Sequence, residues 1–362
     1  MLLVTVLVAA VVVLVVHRIS QPAKPTAERT STPPASSPDP GPTTSFQPAP
    51  FTVTELGHPL LDATGTEELF GRGPGVVVRI ELARGRITTT PVPDLDSSGP
   101  VSFVVTRHEA IVRPLDLVPG YEVPDGSPAR PFTGPLRTVQ SGPMFPGPDG
   151  DSVWAPPTDD NQPVFRLVRL DGREPASQLD VPRGATAIAG VADGSGHVAF
   201  TVDGDSYDSS PAGPHRVASG SLVAVGPTRW LTRTCDGSGA CPVSVVDPRT
   251  GANSELARAI GNSEFIPGVV SPDGSAAAVV VLSRTPALLY FDLWRRTESV
   301  LPIRPDTLPE QAQSLVWSPD SRWLFALDAT GDVLAVDART RQITDFRAIG
   351  AVLPSLTQLA IR

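Results

Sequence analysis

Residues Ser314 to Phe346, SLVWSPDSRWLFALDATGDVLAVDARTRQITDF, hold four short apolar runs separated by clusters of Pro, Asp, Gly and Thr. β-Branched and aromatic runs of this length read as strands, and the residues between them as tight turns. The strands fall at Ser314–Trp317, Trp323–Leu327, Val333–Val336 and Gln342–Phe346. A four-stranded unit of this kind cannot bury both of its faces alone, so it demands neighbours of the same kind.

The neighbours are present. An apolar residue followed by an acid recurs where a third strand should end: Ile80-Glu81, Tyr121-Glu122, Leu170-Asp171, Tyr207-Asp208, Val246-Asp247, Phe291-Asp292 and Val336-Asp337. The acids are 41, 49, 37, 39, 45 and 45 residues apart, and a propeller blade occupies about 40 to 50 residues. The spacing predicts an all-β, seven-bladed β-propeller over residues 51–362, with almost no helix inside it. An acid that recurs once per blade at a turn start serves the fold, because Asp there accepts backbone hydrogen bonds.

The first repeat has candidate second, third and fourth strands at Glu68–Gly71, Gly75–Glu81 and Arg86–Pro91, but no first strand. SLTQLAIR, Ser355 to Arg362, aligns with SLVWSPDS at Ser314. The expectation is that Leu356–Ile361 returns to pair beside Leu69 and closes the ring, since an open ring leaves bare strand edges. Residues 51–64 have no assigned place.

The turn between the first two strands is SPDG at Ser271–Gly274 and SPDS at Ser318–Ser321, with looser copies at Gly147–Gly150 and Ala192–Gly196. These turns resemble those of the TolB-type and WD40-like (PD40) propeller repeats, over roughly residues 65–362. The resemblance implies the fold; propellers host binding modules and enzymes alike, so it implies no activity.

Leu2 to Val16 is apolar except for Thr5 and is closed by His17-Arg18. Fifteen residues fall short of the ~20 of a full span, and no small-x-small cleavage site follows. The reading is an N-terminal hydrophobic helix, residues 1–19, acting as an uncleaved membrane anchor, with a cleaved signal as the alternative. The absence of a basic residue before Leu2 suggests a start upstream of Met1. Residues 20–50, rich in Pro, Ser and Thr, predict a disordered tether. Anchor, stalk and body together describe a single-pass protein of the cell membrane with its propeller on the extracytoplasmic side.

Cys235 and Cys241 flank DGSGA in a predicted hairpin. An even cysteine count in an exported chain favours a disulfide between them, against two free thiols or a metal pair. A metal is disfavoured because no third ligand lies near and structural zinc takes four.

Chemistry is otherwise sparse. His17, His58, His108, His197 and His215 show no metal-ligand spacing, and no nucleophile elbow, P-loop or dinucleotide fingerprint occurs. No cofactor or metal is expected. A net charge of -9 and a pI near 5.1 argue against nucleic acid. Lys24 is the only lysine, and this Arg bias with 41 Pro points to a GC-rich bacterial genome.

Loops vary most between repeats on the face made by hairpins joining second and third strands. Asp159 and Asp160, Asp203 and Asp205, and Asp236 fall there in consecutive repeats, defining a candidate acidic binding rim for a basic partner. The reading is a non-enzymatic, monomeric binding or scaffold module for a protein, peptide or glycan. The alternative is a hydrolase or lyase working in the central channel, which would require convergent carboxylates, His or a metal.

Overall fold

The SPDG turn shows how this sequence builds its sheets. In the computed structural model Ser271 Oγ donates to Asp273 Oδ1 (2.7 Å) and accepts from Ala276 N (3.0 Å), while Ser275 N donates to the same carboxylate (2.9 Å). Ser318, Asp320, Arg322 and Trp323 repeat the pattern. Gly274 has φ 71°, and in the other copy Ser321 takes φ 62°, a left-handed conformation that favours glycine. Ser321 Oγ also accepts Asp273 N (3.0 Å) from the preceding repeat. The motif is thus consumed by turn formation and by contact between repeats.

The structure describes residues 49–63, 65–93, 95, 101–114, 120–138, 143–155, 164–173, 178–180, 190–192, 195–210, 213–237, 239–259, 263–305 and 313–362. The chain divides into Met1–Phe46 and Gln47–Arg362, and all described residues belong to the second unit. The expected anchor helix and nearly all of the tether lie outside them. Among the described residues no helix is long and apolar enough to cross a membrane, and the one helical segment is a 3-10 turn at Gly134–Thr138.

The described residues form an all-β, propeller-like ring of antiparallel sheets. Four sheets have four strands each, opening at Val101–Val105, Phe145–Pro146, Gly190–Ala192 and Leu315–Trp317. A further sheet has eight strands. Its halves, Ser221–Val225 to Asn253–Ala259 and Glu264–Val270 to Thr297–Leu301, are joined by a parallel pairing of Ala224 with Gly268 and Val225 with Val269. A Cβ on Gly268 would lie 1.8 Å from Ala278 O, so only glycine permits the local bulge at this junction.

The sheet of the first repeat has five strands in the order Thr52–Glu55, Arg86–Pro91, Val76–Glu81, Glu68–Gly73 and Gln358–Ile361. The returning strand is where the alignment put it, with Leu69 opposite Ile361 and Arg72 opposite Gln358. Of residues 51–64, unassigned from sequence, the described 51–63 supply an outer edge strand and then a plug. Leu60 N donates to Leu82 O (2.8 Å), and the Leu60 side chain is fully buried.

Core side chains lie between successive sheets. Leu69, Ile80, Leu356 and Leu359 pack against Phe325 and Phe346 across the closure. Tryptophans tie neighbours together: Trp154 Nε1 donates to Gly196 O (2.6 Å) and Trp317 Nε1 to Val269 O (3.3 Å).

The recurring acids need a correction. Asp247, Asp292 and Asp337 begin turns as expected, each accepting backbone N–H groups two or three residues on. Glu122 and Asp208 do not. Glu109 pairs with Pro124 and Val198 with Ser209, so in both repeats the third strand runs past the acid and buries it. Asp171 lies two residues beyond the end of Val164–Arg169 and still accepts Arg173 N (3.0 Å), as expected of a turn acid. Hairpins of unequal length shift the acid along an otherwise similar sequence.

Candidate functional site

The loop face carrying the predicted rim is built from two hairpins that lean on each other. In the fifth repeat, Trp230–Arg233 and Pro242–Val246 pair antiparallel, and Cys235 is bonded to Cys241 with their α-carbons 4.0 Å apart. Asp236 N donates to Ala240 O (2.9 Å), and Asp236 Oδ1 accepts from Ala240 N (3.1 Å). The tip is therefore clamped both covalently and by its own backbone. A short crosslinked loop adds little global stability, so the bond chiefly fixes the shape of the loop.

In the fourth repeat the hairpin turns at Asp203-Gly204, with φ 49° and 82°. Two consecutive left-handed residues match the tight turn that follows the twist of a hairpin, for which Asp-Gly is favoured. The hairpins are linked through residues 219–220. Gly220 N donates to Gly204 O (2.7 Å), Ser206 Oγ to Gly220 O (2.6 Å), and Thr234 Oγ1 to Ser219 O (3.1 Å).

Asp203 and Asp236 are exposed at the two tips. Asp205 is engaged instead by Arg216, whose Nε and second guanidinium nitrogen lie 2.7 and 2.8 Å from its two oxygens. The forked pairing offsets one negative charge on the rim. Asp159 and Asp160 lie outside the described residues. The structure places the described part of the rim on adjacent repeats and reduces its charge through Arg216.

Sequence reasoning missed two groupings. The first is at Asp208, buried in mid-strand, whose Oδ2 lies 3.2 Å from His197 Nδ1 and 3.8 Å from His215 Nδ1. Its other oxygen is buried and has no hydrogen-bond partner among the described residues. The only sequence signal is period-two alternation, which puts Asp208 opposite His215 once the register is known. Among the described residues no three His, Cys, Asp or Glu are arranged to hold a metal ion.

Burial raises the pKa of Asp208 above the ordinary carboxylate range, and the two imidazoles oppose that rise only when protonated. A raised folded-state pKa contributes stability at low pH that is lost as pH rises through the folded value. Asp208→Asn is therefore expected to melt above the wild type at pH ~8, with the difference closing as pH falls into the ordinary carboxylate range. Thermal melts across that range check it, and a pH-independent difference would overturn it.

The second grouping is of arginines. Arg113, Arg130 and Arg137, from three different segments of the second repeat, line one cavity on the same loop face.

The architecture defines the class: this is a β-propeller. No protein-family model matches the chain, and no curated protein does at a significant level. Among solved structures, the chain is similar to an oligogalacturonate lyase in complex with manganese, at 15% identity and a TM-score of 0.47, covering 77% of this chain and 87% of that one. It is also similar to the WD40 domain of Toxoplasma gondii coronin, at 10% identity and 0.45, covering 71% and 69%. TolB from Acinetobacter baumannii matches at 12% identity and 0.42, covering 86% and 81%. Likeness at this level carries no argument about activity.

Proposed function

We propose that the chain is a non-enzymatic binding module of the cell envelope, a propeller of seven blades when the two halves of the eight-stranded sheet are counted separately. Residues 2–16 would anchor it and residues 20–50 hold it clear of the membrane, with the ring on the extracytoplasmic side. Its loop face would take a basic segment of a partner protein or peptide.

One observation carries this reading: two hairpins on adjacent repeats, one clamped by Cys235–Cys241, are locked together through Ser219 and Gly220 with Asp203 and Asp236 at their tips. Loops already fixed lose little entropy on binding, and opposite charge guides encounter.

The test is capture of an arginine-rich peptide by the wild type and by a variant with Asp159, Asp160, Asp203, Asp205 and Asp236 all changed to Asn. The variant is expected to keep its melting temperature and lose most of the capture, and wild-type capture is expected to fall with added salt. Arg216→Gln, which unmasks Asp205, is expected to strengthen capture. Undiminished capture by the five-fold variant would move the site to the opposite face.

A further inference from the structure

The arginine-lined cavity of the second repeat lies at the same end of the ring but not on the hairpin rim. It occupies about 500 Å³, within the ~300–1,000 Å³ usual for small-molecule sites. Of its described lining residues three are arginines and none is acidic.

Local structure explains how the three arginines come to line one cavity. Phe132 N donates to Gly120 O (2.9 Å), and the Phe132 ring packs so closely on Gly120 that a Cβ there would sit 2.3 Å from it. This presses the ring flat as an apolar wall, with the Arg113 guanidinium 5.9 Å from its centroid. Arg130 enters from the paired strand. Its Nε is held from behind by buried Glu122 (2.7 Å), whose other oxygen accepts Thr133 N (3.0 Å). The chain then turns through Gly134–Thr138 and presents exposed Arg137 at the end of that turn. Burial also pushes the Arg113 pKa down, as expected of a cation in a wall that solvates it poorly.

The charged residues described along the wall are all cationic, Glu122 offsetting only Arg130 from behind, so the cavity draws anions, and the guanidinium fork matches carboxylate and phosphate oxygens. Phe132 and Leu136 supply an apolar side. We infer that this cavity binds a small organic anion, a carboxylate or phosphate carried on a flat or apolar body. The site is independent of the acidic rim, being of opposite charge and on a different repeat, so either can fail without the other.

Calorimetric titration of the full chain with benzoate, phenyl phosphate and neutral benzamide tests it. At least one anion is expected to bind and benzamide not to, with binding weakening as salt is added. Binding of only one anion identifies which of the two groups the cavity prefers. Arg137→Gln, at an exposed position, is expected to leave the melting temperature unchanged and to weaken the anion about tenfold, the worth of one charge-assisted hydrogen bond. Arg137→Lys should recover part of that loss. Arg113→Gln tests the inner wall, with the melting temperature reporting any disturbance of Phe132. The inference is overturned if neither anion binds up to about 10 mM, if benzamide binds as well as they do, or if Arg137→Gln leaves the affinities unchanged.

Discussion

Removal of Ser355–Arg362 is expected to abolish cooperative folding of Gln47–Arg362 instead of fraying one edge. The segment touches three repeats at once. Thr357 N donates to Arg72 O (2.7 Å) in the first, Gln358 Nε2 to Val101 O (2.9 Å) in the second, and Leu359 N to Gln313 O (2.7 Å) at the start of the last. Leu356 and Leu359 are each 1% exposed within the core that joins the last sheet to the first. Leu356 lies directly over Gly71, where a Cβ would come within 2.3 Å of its methyl group.

Emptying a buried leucine site costs about 2–5 kcal/mol, and two such sites rival the ~5–15 kcal/mol that holds a whole domain together. The deletion also bares the backbone edge of Glu68–Gly73, inviting self-association. Urea unfolding followed by tryptophan fluorescence is the measurement. A truncated protein that keeps the wild-type midpoint would show that the ring does not depend on this closure.

What could be read from the sequence was whatever a strand or turn writes locally. The alternation at Trp323–Leu327, the Asp and Ser of the SPDG turns and the likeness of SLTQLAIR to SLVWSPDS are each confined to a few residues. Thr52–Glu55 was missed because all four of its residues are exposed, so it carries no buried-face pattern. The roles of Glu122 and Asp208 were missed for another reason: hairpins that differ by one or two residues move an acid from a turn into a strand. The His197, Asp208 and His215 cluster, the Arg113 cavity and the parallel junction at Gly268 all arise from register or from packing between segments. No local pattern records them.

The largest effect expected of one side chain is at Arg362. Its Nε donates to Glu68 Oε2 (2.7 Å), one terminal nitrogen bridges Glu68 and Asp125 (2.6 Å to the latter), and the other donates to Thr106 O (2.8 Å). The guanidinium also lies 4.9 Å from the centroid of the Phe70 ring. Arg79 shares both acids, bonded to Glu68 and 3.7 Å from Asp125, so two cations and two carboxylates knit the first and second repeats.

Burial pushes the Glu68 carboxyl up, but its bonds to Arg79 and Arg362 outweigh this and hold it below the ordinary range. A lowered folded-state pKa gives stability that is present above the unfolded value and lost as pH falls through the folded one. The network therefore stabilises the neutral protein and weakens in acid.

Arg362→Met keeps much of the apolar contact with Phe70 and leaves Glu68 and Asp125 short of a partner. Breaking a largely buried pair from one side costs about 3–5 kcal/mol, and the lower end is expected because Arg79 still holds Glu68. Adding Glu68→Gln removes part of the stranded charge, so the double variant should lose less than the two single losses combined. A urea-unfolding cycle at neutral pH reads both quantities. A loss below about 1 kcal/mol for Arg362→Met, typical of an exposed pair, would mean that the junction is held by Leu356 and Leu359 alone.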